Sequence, residues 1–424
     1  MTIFENRIYR IILEYLWFNK NNKKYKSYAR SLSSVNWYFH GVRESSLGVA
    51  KLNRCSLFDH HHLTKLHYNG CGFKSIKKQS LQLITPKLRA LTCDHTELGF
   101  LLECGMSSLE QLKCLVTMGF DDTTKQLRGQ IGMLASTLKA VSFQINMKLY
   151  YELQLLIIHF LSERFEHLTS IELIETSGNV LLCNLYRNSK MVFDRLLKFK
   201  SLQHLVIEFQ IDKDKDNWDD EGVKSYEFQS DLLCYLMNQS SLKSFHHNRF
   251  LGSSIEEYLL QESSSIEYLS LDLHQGFSEV TRNNIKKLSL VAVSDQDMHK
   301  LAMVKYLKVH PKYPNSLAGI TQFLNRQQQL QKQYGFPADR VLKCEVNIGQ
   351  VNIEPEFLEA LKNNTTLKRL YLSIKEDDYI VDLDDLKVID SIIQSHPTIR
   401  NKDTWFITKQ KLKDRGQVYN QIVN

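Results

Sequence analysis

Apolar residues recur along this chain in one short frame: apolar, two other residues, apolar, one other residue, apolar. A small polar residue often precedes the frame, as Ser201 precedes Leu202, Leu205 and Ile207. Twelve copies occur, with an average step of about 28 residues. The copies begin at Leu63, Leu88, Leu109, Leu138, Leu168, Leu202, Leu242, Ile266, Ile285, Val304, Val341 and Leu367. So many copies in phase indicate an internal repeat rather than chance spacing of leucine.

The second and third apolar positions of each frame predict a strand with one buried face, because they alternate with polar positions. Between the frames, apolar residues spaced three or four apart predict helices. These helices are expected in the ranges 149–165, 191–199, 231–237, 255–260 and 355–361. Ser230–Asp231 and Pro355 are typical of helix starts, so two helices are expected to begin there. One strand–turn–helix unit cannot bury its own apolar face, so the units must stack.

The units resemble leucine-rich repeats, and their length and helical segments are similar to those of the ribonuclease-inhibitor-like subclass. The resemblance covers residues 57–399 and implies an α/β leucine-rich-repeat solenoid, with a curved parallel sheet inside and helices outside. We assign residues 56–405 to the solenoid and 406–424 to a polar C-terminal tail. Two insertions are expected within it: an acidic loop at 212–222, and a Gln-rich segment at 321–336 that forms an extra helix.

Residues 1–55 follow a different pattern, which predicts a small helical module before the repeats. Apolar residues recur at three- or four-residue spacing in two segments, on either side of the polar stretch 19–26. The module resembles an F-box, with an I-x-x-I-L-x-Y-L-like first helix and a V-[CN]-x-x-W-like last segment. The positions expected to bind its adaptor are Ile8, Ile11, Ile12, Leu16, Leu32, Val35 and Trp37.

The F-box resemblance implies that these apolar side chains dock on the Skp-type adaptor of a cullin ubiquitin ligase. The sequence departs from the family at Phe4-Glu5-Asn6, where F-boxes have Leu-Pro, and in its longer, basic stretch between the helices. A plain helical cap that covers the apolar end of the solenoid is the alternative interpretation. The order of the parts favours the F-box, because a short helical module directly before leucine-rich repeats is the usual layout of F-box substrate receptors.

Composition and charge narrow the classes of partner. The 424 residues include 61 leucines and carry a net charge of +7. Residues 1–60 contribute +6 and residues 401–424 contribute +3, which leaves −2 on the rest. A nucleic-acid-binding face is usually strongly basic, so nucleic acid is disfavoured as a partner.

The longest apolar runs are far shorter than the about 20 residues of a membrane helix, and the N-terminus does not resemble a signal peptide. Membrane and secreted proteins are therefore disfavoured.

The residues that usually carry chemistry form no recognisable catalytic or metal-binding set. The eight cysteines are scattered without a C-x-x-C pair, as in a reducing compartment where cysteine acts as a small hydrophobe. The three consecutive histidines 60–62 cannot all face one ion. The loop from Asp212 begins like a calcium site, but Asn217 and Val223 stand where an EF-hand needs Gly and Glu. We therefore expect no metal, no cofactor and no enzymatic activity.

The polar positions that alternate with the frame are expected to point outward on the concave face of the solenoid. This rule places His246 outward and His247 in the core. The candidate partner-binding residues on this face are His204, His246, Tyr268, Tyr306, Lys308, His310, Arg369 and Tyr371. Tyr and Arg are enriched at protein-interface hot spots, and the mixture of charges suits a protein partner better than a polyanion.

The sequence thus predicts a non-enzymatic substrate-recognition subunit of a cullin-type (SCF) ubiquitin ligase, in the cytoplasm or nucleus. The helical module would bind the Skp-type adaptor and cullin, and the concave face would bind a target protein. Its mechanism would be proximity, since tethering raises the effective concentration of the target near the transferring enzyme. The alternative is a leucine-rich-repeat scaffold or GTPase regulator without a ubiquitin role.

Overall fold

A computed structural model describes most of the repeat region. The described residues are 65–67, 78–82, 85–116, 134, 136–145, 165, 167–175, 189–209, 226–263, 265–272, 277, 279–280, 284–311, 317–335, 339–345, 353–374, 383–402 and 406–408. The predicted F-box-like module (1–55), the acidic loop (212–222) and the three histidines at 60–62 lie outside them. The described residues form two compact units, an N-terminal unit up to Leu202 and a C-terminal unit from Gln203 onward.

In the N-terminal unit, five short strands pair in parallel and in chain order. They are β1 Lys65–His67, β2 Ala90–Asp94, β3 Gln111–Val116, β4 Ala140–Ile145 and β5 Ser170–Glu175. The described helices between them are α1 Lys78–Gln82, α2 His95–Glu103 and, after β5, α3 Ser189–Leu196. A 3₁₀ turn, Thr85–Lys87, leads into β2. Neighbouring strands that are parallel require a crossover, which these helical segments provide.

The C-terminal unit continues the same strand-and-crossover arrangement, again parallel and in chain order. Its strands are β6 His204–Phe209, β7 Ser244–Phe250, β8 Tyr268–Asp272, β9 Lys287–Val293, β10 Tyr306–Pro311, β11 Arg340–Glu345, β12 Leu367–Ile374 and β13 Phe406–Thr408. Its α-helices are α4 Tyr226–Asn238, α5 Ser253–Glu257, α6 Ala318–Tyr334, α7 Pro355–Asn363 and α8 Leu383–Ser395. Shorter helical turns are a π-turn at Tyr258–Glu262 and a 3₁₀ segment at Asp295–Leu301.

The predicted frame is the core of both units. Ten of the copies, those beginning between Leu88 and Val304 and the one at Leu367, have all three frame residues buried. His247 is among them with no exposed surface, as predicted, and its Nδ1 lies 3.0 Å from the Ile207 carbonyl. The alternation of buried and outward residues along each strand follows from the two-residue period of a β-strand.

The copy predicted to begin at Val341 is wrong by two residues. Val341 is half-buried, whereas Leu342 and Cys344 are fully buried and lie in register with Leu370 and Leu372. The frame of this repeat therefore begins at Asp339. Because its first position is polar, a pattern that requires three apolar residues selects a later set.

Helix boundaries follow the apolar spacing more closely than the cap residues. Pro355 is the first residue of α7, as predicted, where its missing N–H leaves no hydrogen bond unmade. The predicted start at Ser230–Asp231 is wrong, because α4 already begins at Tyr226. The Gln-rich segment 321–336 forms most of α6, which packs between the 3₁₀ segment and α7 as the crossover from β10 to β11.

The sheet extends further toward the C-terminus than the predicted boundary at 405. Residues Phe406–Thr408 form β13 and lie in register with Leu372, Ser373 and Ile374 of β12. This segment belongs to the sheet and not to the tail, because its backbone continues the parallel ladder.

A recurring backbone bond joins consecutive repeats just before each strand. The carbonyl of Arg89 accepts hydrogen bonds from two successive N–H groups of the next repeat, those of Glu110 and Gln111, both at 2.8 Å. The same pair of hydrogen bonds recurs at the carbonyls of Glu110, Lys139, Gln203, Lys243 and Glu267. Polar joints before the frame add to it, as where the Ser201 hydroxyl donates to the Leu168 carbonyl at 3.0 Å. These bonds fix the register from one repeat to the next.

Candidate protein-binding face

The outward side chains of β6 to β12 form one polar surface, here called the strand face, in the C-terminal unit. Strand register aligns them in rows that run across the sheet. The first row contains His204, Ser244, Tyr268, Lys287, Tyr306, Val341 and Arg369. The second row contains Val206, His246, Ser270, Ser289, Lys308, Lys343 and Tyr371. A third row lies nearer the strand ends and includes Glu208, Asp272 and Val291.

The strand face of the C-terminal unit includes large side chains that are exposed. Tyr268 and Val291 are 42% and 43% exposed, large values for residues of these types. In the N-terminal unit, the outward positions Thr92, Ser142 and Ile174 are buried, whereas Gln111 is exposed and Lys113 and Glu172 are half-buried. Among the described residues, the exposed large apolar side chains on strands, Tyr268 and Val291, therefore both lie in the C-terminal unit.

Two of the predicted site histidines lie at the β6–β7 side of this surface. His204 is exposed, and His246 is half-buried in the second row. The Nε2 of His246 lies 2.8 Å from Oε1 of Glu208, so the two side chains form an ion pair when His246 is protonated. The pair crosses from the second row to the third and links the two strands.

The tyrosines lie in the middle and on the far side of the face. The ammonium of Lys287 lies over the ring of Tyr306, 5.2 Å from its centroid, in a cation–π contact. Tyr268, in register with Lys287, is the most exposed aromatic residue of the face. Tyr371 is half-buried on β12, so its ring is partly available.

The remaining predicted residues are basic. Lys308 is half-buried and Arg369 is exposed, both on the strand face. His310 belongs to β10, but its side chain lies outside the described residues. Seven of the eight predicted residues are thus described on one surface of the C-terminal unit.

Lys343 also belongs to the strand face, and the sequence interpretation missed it. It lies half-buried on β11, directly in register with Lys308 and Tyr371. It was missed because the frame of this repeat was placed two residues too late. Leu342 and Cys344 have the same spacing as the apolar pair of every other strand. This pair is the sequence signal that would have identified Lys343, which lies between them, as an outward residue.

The described residues contain no group of three His, Cys, Asp or Glu side chains that could hold a metal ion. Their free thiols at Cys93 and Cys114 face each other across β2 and β3 and are buried. Burial raises the pKa of both thiols, so they stay protonated at neutral pH and are poor nucleophiles.

An open hollow of about 500 Å³ lies beside α6. It is lined by polar side chains and bridged by an Arg326–Glu279 ion pair at 3.3 Å.

The adaptor-binding residues predicted in the first module lie outside the described part of the chain. They are Ile8, Ile11, Ile12, Leu16, Leu32, Val35 and Trp37. None of the described helices is both long and apolar enough to cross a membrane.

Comparison with known proteins identifies the fold. No protein-family model and no curated protein sequence match this chain. Among solved structures, it is similar to the yeast Rad7–Elc1 complex, with a TM-score of 0.51 and 12% identity over 98% of this chain and 99% of that one. The TLR13–ssRNA13 complex gives a TM-score of 0.28 and 12% identity over 81% of this chain and 61% of that one.

The parallel repeat architecture and the similarity to the Rad7 structure confirm the predicted fold class. The chain is an α/β leucine-rich-repeat solenoid. At this level of sequence identity the similarity establishes the fold alone. Any inference about function must therefore come from the strand face and from the order of the modules.

Proposed function

We propose that this protein is a non-enzymatic substrate receptor of a cullin-type ubiquitin ligase, acting in the cytoplasm or nucleus. Residues 1–55 would bind a Skp-type adaptor, and the strand face of the C-terminal unit would hold the target protein. The observation that carries the proposal is the open strand face, with Tyr268 at 42% exposure and the Lys287–Tyr306 contact beside it. Exposed tyrosines on a rigid sheet are typical of protein-binding surfaces.

The order of the modules supports the ligase part of the proposal. A segment whose apolar spacing predicts helices with an F-box-like pattern precedes the repeats, and the similar Rad7 structure was solved together with a second protein, Elc1. A receptor of this kind needs no catalytic side chains of its own, because it acts by bringing target and transferring enzyme together.

The test is a pull-down of a purified adaptor–cullin complex with the intact chain and with a chain lacking residues 1–55. We expect binding that the deletion abolishes. In the intact chain, Ile12→Asp and Leu16→Asp should also abolish it, because each places a charge in an apolar docking face. Asn21→Asp, in the polar stretch between the two segments, is the matched control and should bind normally.

Lack of adaptor binding by a well-folded intact chain would contradict the ligase role. Residues 1–55 would then be an end cap of the solenoid, and the protein would be a leucine-rich-repeat scaffold or GTPase regulator. Circular dichroism of each variant shows whether lost binding reflects the interface or the fold.

A further inference from the structure

Charge on the strand face is sorted by position rather than evenly mixed. Lys287, Lys308, Lys343 and Arg369 all lie in the first two rows, on the four consecutive strands β9 to β12. The described carboxylates of the face, Glu208 and Asp272, lie instead in the third row, on β6 and β8. Together with Tyr306 and Tyr371, the four basic residues form what we call the basic–tyrosine patch.

The cations of this patch differ from those at the strand entrances. There, Lys286 and Lys305 are paired with Glu267 and Asp339 at 2.6 and 2.5 Å. Within the described part of the chain, Lys287, Lys343 and Arg369 have no carboxylate within ion-pair distance, and Lys287 contacts only the Tyr306 ring. The protein thus neutralises cations beside the patch while leaving Lys287, Lys343 and Arg369 available to a partner.

Two lysines of the patch oppose each other directly. Lys308 and Lys343 are register partners on neighbouring strands, and like charges placed opposite each other destabilise a sheet. In the same row, the neighbouring register partners Ser270 and Ser289 are both small and neutral. An anion placed between the lysines would relieve their repulsion.

We propose that the basic–tyrosine patch binds an extended acidic segment, rich in Asp and Glu, of the target protein. This inference depends on the proposed use of the strand face for target binding and specifies the chemistry of that target. Carboxylates of the segment pair with Lys287, Lys343 and Arg369, and its aliphatic groups pack on the rings of Tyr306 and Tyr371.

The dimensions of the patch fit a short peptide. Neighbouring strands are about 4.8 Å apart, so β9 to β12 span about 14 Å, which about five residues of extended chain cover. A nucleic acid would extend its charges beyond this span in both directions. The carboxylates of Asp272 and Glu208 lie beyond β9 and would repel such a long polyanion, but not a peptide whose acidic part is short.

The experiment uses the full chain and two fluorescein-labelled peptides of about ten residues, one of alternating Glu and Gly and one of alternating Gln and Gly. We expect fluorescence anisotropy to show binding of the acidic peptide at least about tenfold tighter than of the neutral one. The difference should shrink as salt rises from about 0.05 to 0.3 M, because exposed charges are screened.

Single substitutions then locate the binding. Lys343→Ser, which gives β11 the residue found at this position on β8 and β9, should weaken acidic-peptide binding about three- to tenfold. Its Tm should stay equal or rise, since a like-charge contact is removed. Lys286→Ser is the matched control: it removes a nearby lysine that is already paired with Glu267, and peptide affinity should not change.

Three outcomes would overturn the inference. One is equal binding of the acidic and neutral peptides, and a second is an equal loss of affinity in Lys286→Ser and Lys343→Ser. The third is tenfold tighter binding of a single-stranded RNA or a phosphopeptide of similar length than of the acidic peptide. The adaptor pull-down is independent of this patch. A chain that binds adaptor but does not distinguish the peptides contradicts this inference alone, and the reverse result contradicts only the ligase role.

Discussion

Asn364 and His396 do the same work in successive repeats. Asn364 lies three residues before Leu367 and His396 three residues before the buried Ile399, and each accepts hydrogen bonds from backbone N–H groups of the turn that follows. Oδ1 of Asn364 accepts from the N–H groups of Thr366 and Leu367 at 3.0 and 2.9 Å. Nδ1 of His396 accepts from those of Thr398 and Ile399, both at 3.3 Å. Nδ2 of Asn364 donates to the Leu324 carbonyl of the preceding repeat, and Nε2 of His396 reaches the Leu361 carbonyl in the same way.

The bonds of His396 specify its protonation state. Its Nε2 lies 3.0 Å from the Leu361 carbonyl and therefore carries the proton, which leaves Nδ1 as an acceptor. A second proton on Nδ1 would point at two backbone donors. Burial, only partly offset by the bonds to the Leu361 and Asn364 carbonyls, lowers the pKa of His396 below its usual 6.5.

The first prediction is a loss of stability in mild acid caused by His396. Because its folded pKa is lowered, the unfolded chain binds more protons once the pH falls through about 6.5 toward the folded pKa. The free energy of unfolding should therefore be highest, as far as His396 determines it, above pH 7 and should decline as the pH drops below 6.5. Urea denaturation at pH 7.5 and 5.5 measures the change.

The control for this pH dependence is His396→Asn, which installs the residue used at the equivalent position by the preceding repeat. The acceptor is kept and the titrating group is removed, so the difference between pH 7.5 and 5.5 should become smaller than in the wild type. An unchanged difference would assign the pH dependence to other groups.

The second prediction concerns Asn364, which is fully buried. Asn364→Leu keeps the approximate volume but leaves the N–H groups of Thr366 and Leu367 and the Leu324 carbonyl without this partner. Buried polar groups that lose their partner cost about 1–3 kcal/mol each, so we expect a loss of at least about 2 kcal/mol. Asn363→Leu, at the exposed neighbouring position, should change the unfolding free energy by less than about 0.5 kcal/mol.

At the scale of elements, α6 packs closely against the 3₁₀ segment Asp295–Leu301 of the C-terminal unit. Gly319, in the first turn of α6, makes it possible. A Cβ at this position would lie 2.8 Å from Cα of Asp295 and 2.9 Å from Cγ of Met298. The first of these atoms belongs to the backbone, so it cannot move aside without shifting the segment.

The third prediction follows from this contact. In an open helix, replacing Gly by Ala stabilises by about 1 kcal/mol, whereas Gly319→Ala should destabilise by about 1–3 kcal/mol. The sign of the change is thus the test, measured by chemical denaturation. Gly252→Ala is the matched control, because a Cβ there meets only the Gln229 side chain at 3.6 Å, and it should be tolerated. Stabilisation by Gly319→Ala would show that the two elements are further apart.

Element boundaries could be predicted only where local chemistry decides them. The apolar spacing located α3, α4 and α7 to within about five residues, the Gln-rich composition located α6, and Pro355 marked the start of α7. Ser230–Asp231 misled, because Phe228 and Leu232 bury the earlier turn of α4 and packing outweighs a local cap. The same limit applies to β13, whose three residues are a strand through pairing with β12 rather than through propensity.

At the scale of the whole molecule, the repeat pattern sufficed to predict the fold class. Each frame is a short run of residues whose spacing alone indicates which side chains are buried. The pattern predicted most of the strand face for the same reason, since outward residues are the alternates of the frame. Lys343 was missed where Asp339 takes the first frame position and breaks the pattern. The burial of Thr92 and Ser142 was not predictable either, because it depends on contacts beyond a single repeat.

A stacked repeat array also predicts how the destabilising effect of a core substitution spreads, because each repeat contacts its immediate neighbours. Leu370→Ala removes a fully buried frame residue of β12 and should cost about 2–5 kcal/mol. Hydrogen exchange should show the greatest loss of protection in β11 and β12, with a decline through β10 and β9 toward β6. A domain that unfolds in one cooperative step would instead lose protection equally in every strand.

The matched variant is Leu205→Ala, at the equivalent frame position of β6, which is also fully buried. Its loss of protection should be greatest in β6 and β7 and should decline toward β12, the mirror image of the first gradient. Opposite gradients from two equivalent substitutions would show nearest-neighbour coupling within the C-terminal unit. Identical, uniform losses from both would show that β6 to β12 unfold together, and the basic–tyrosine patch on β9 to β12 would then respond equally to damage at either end.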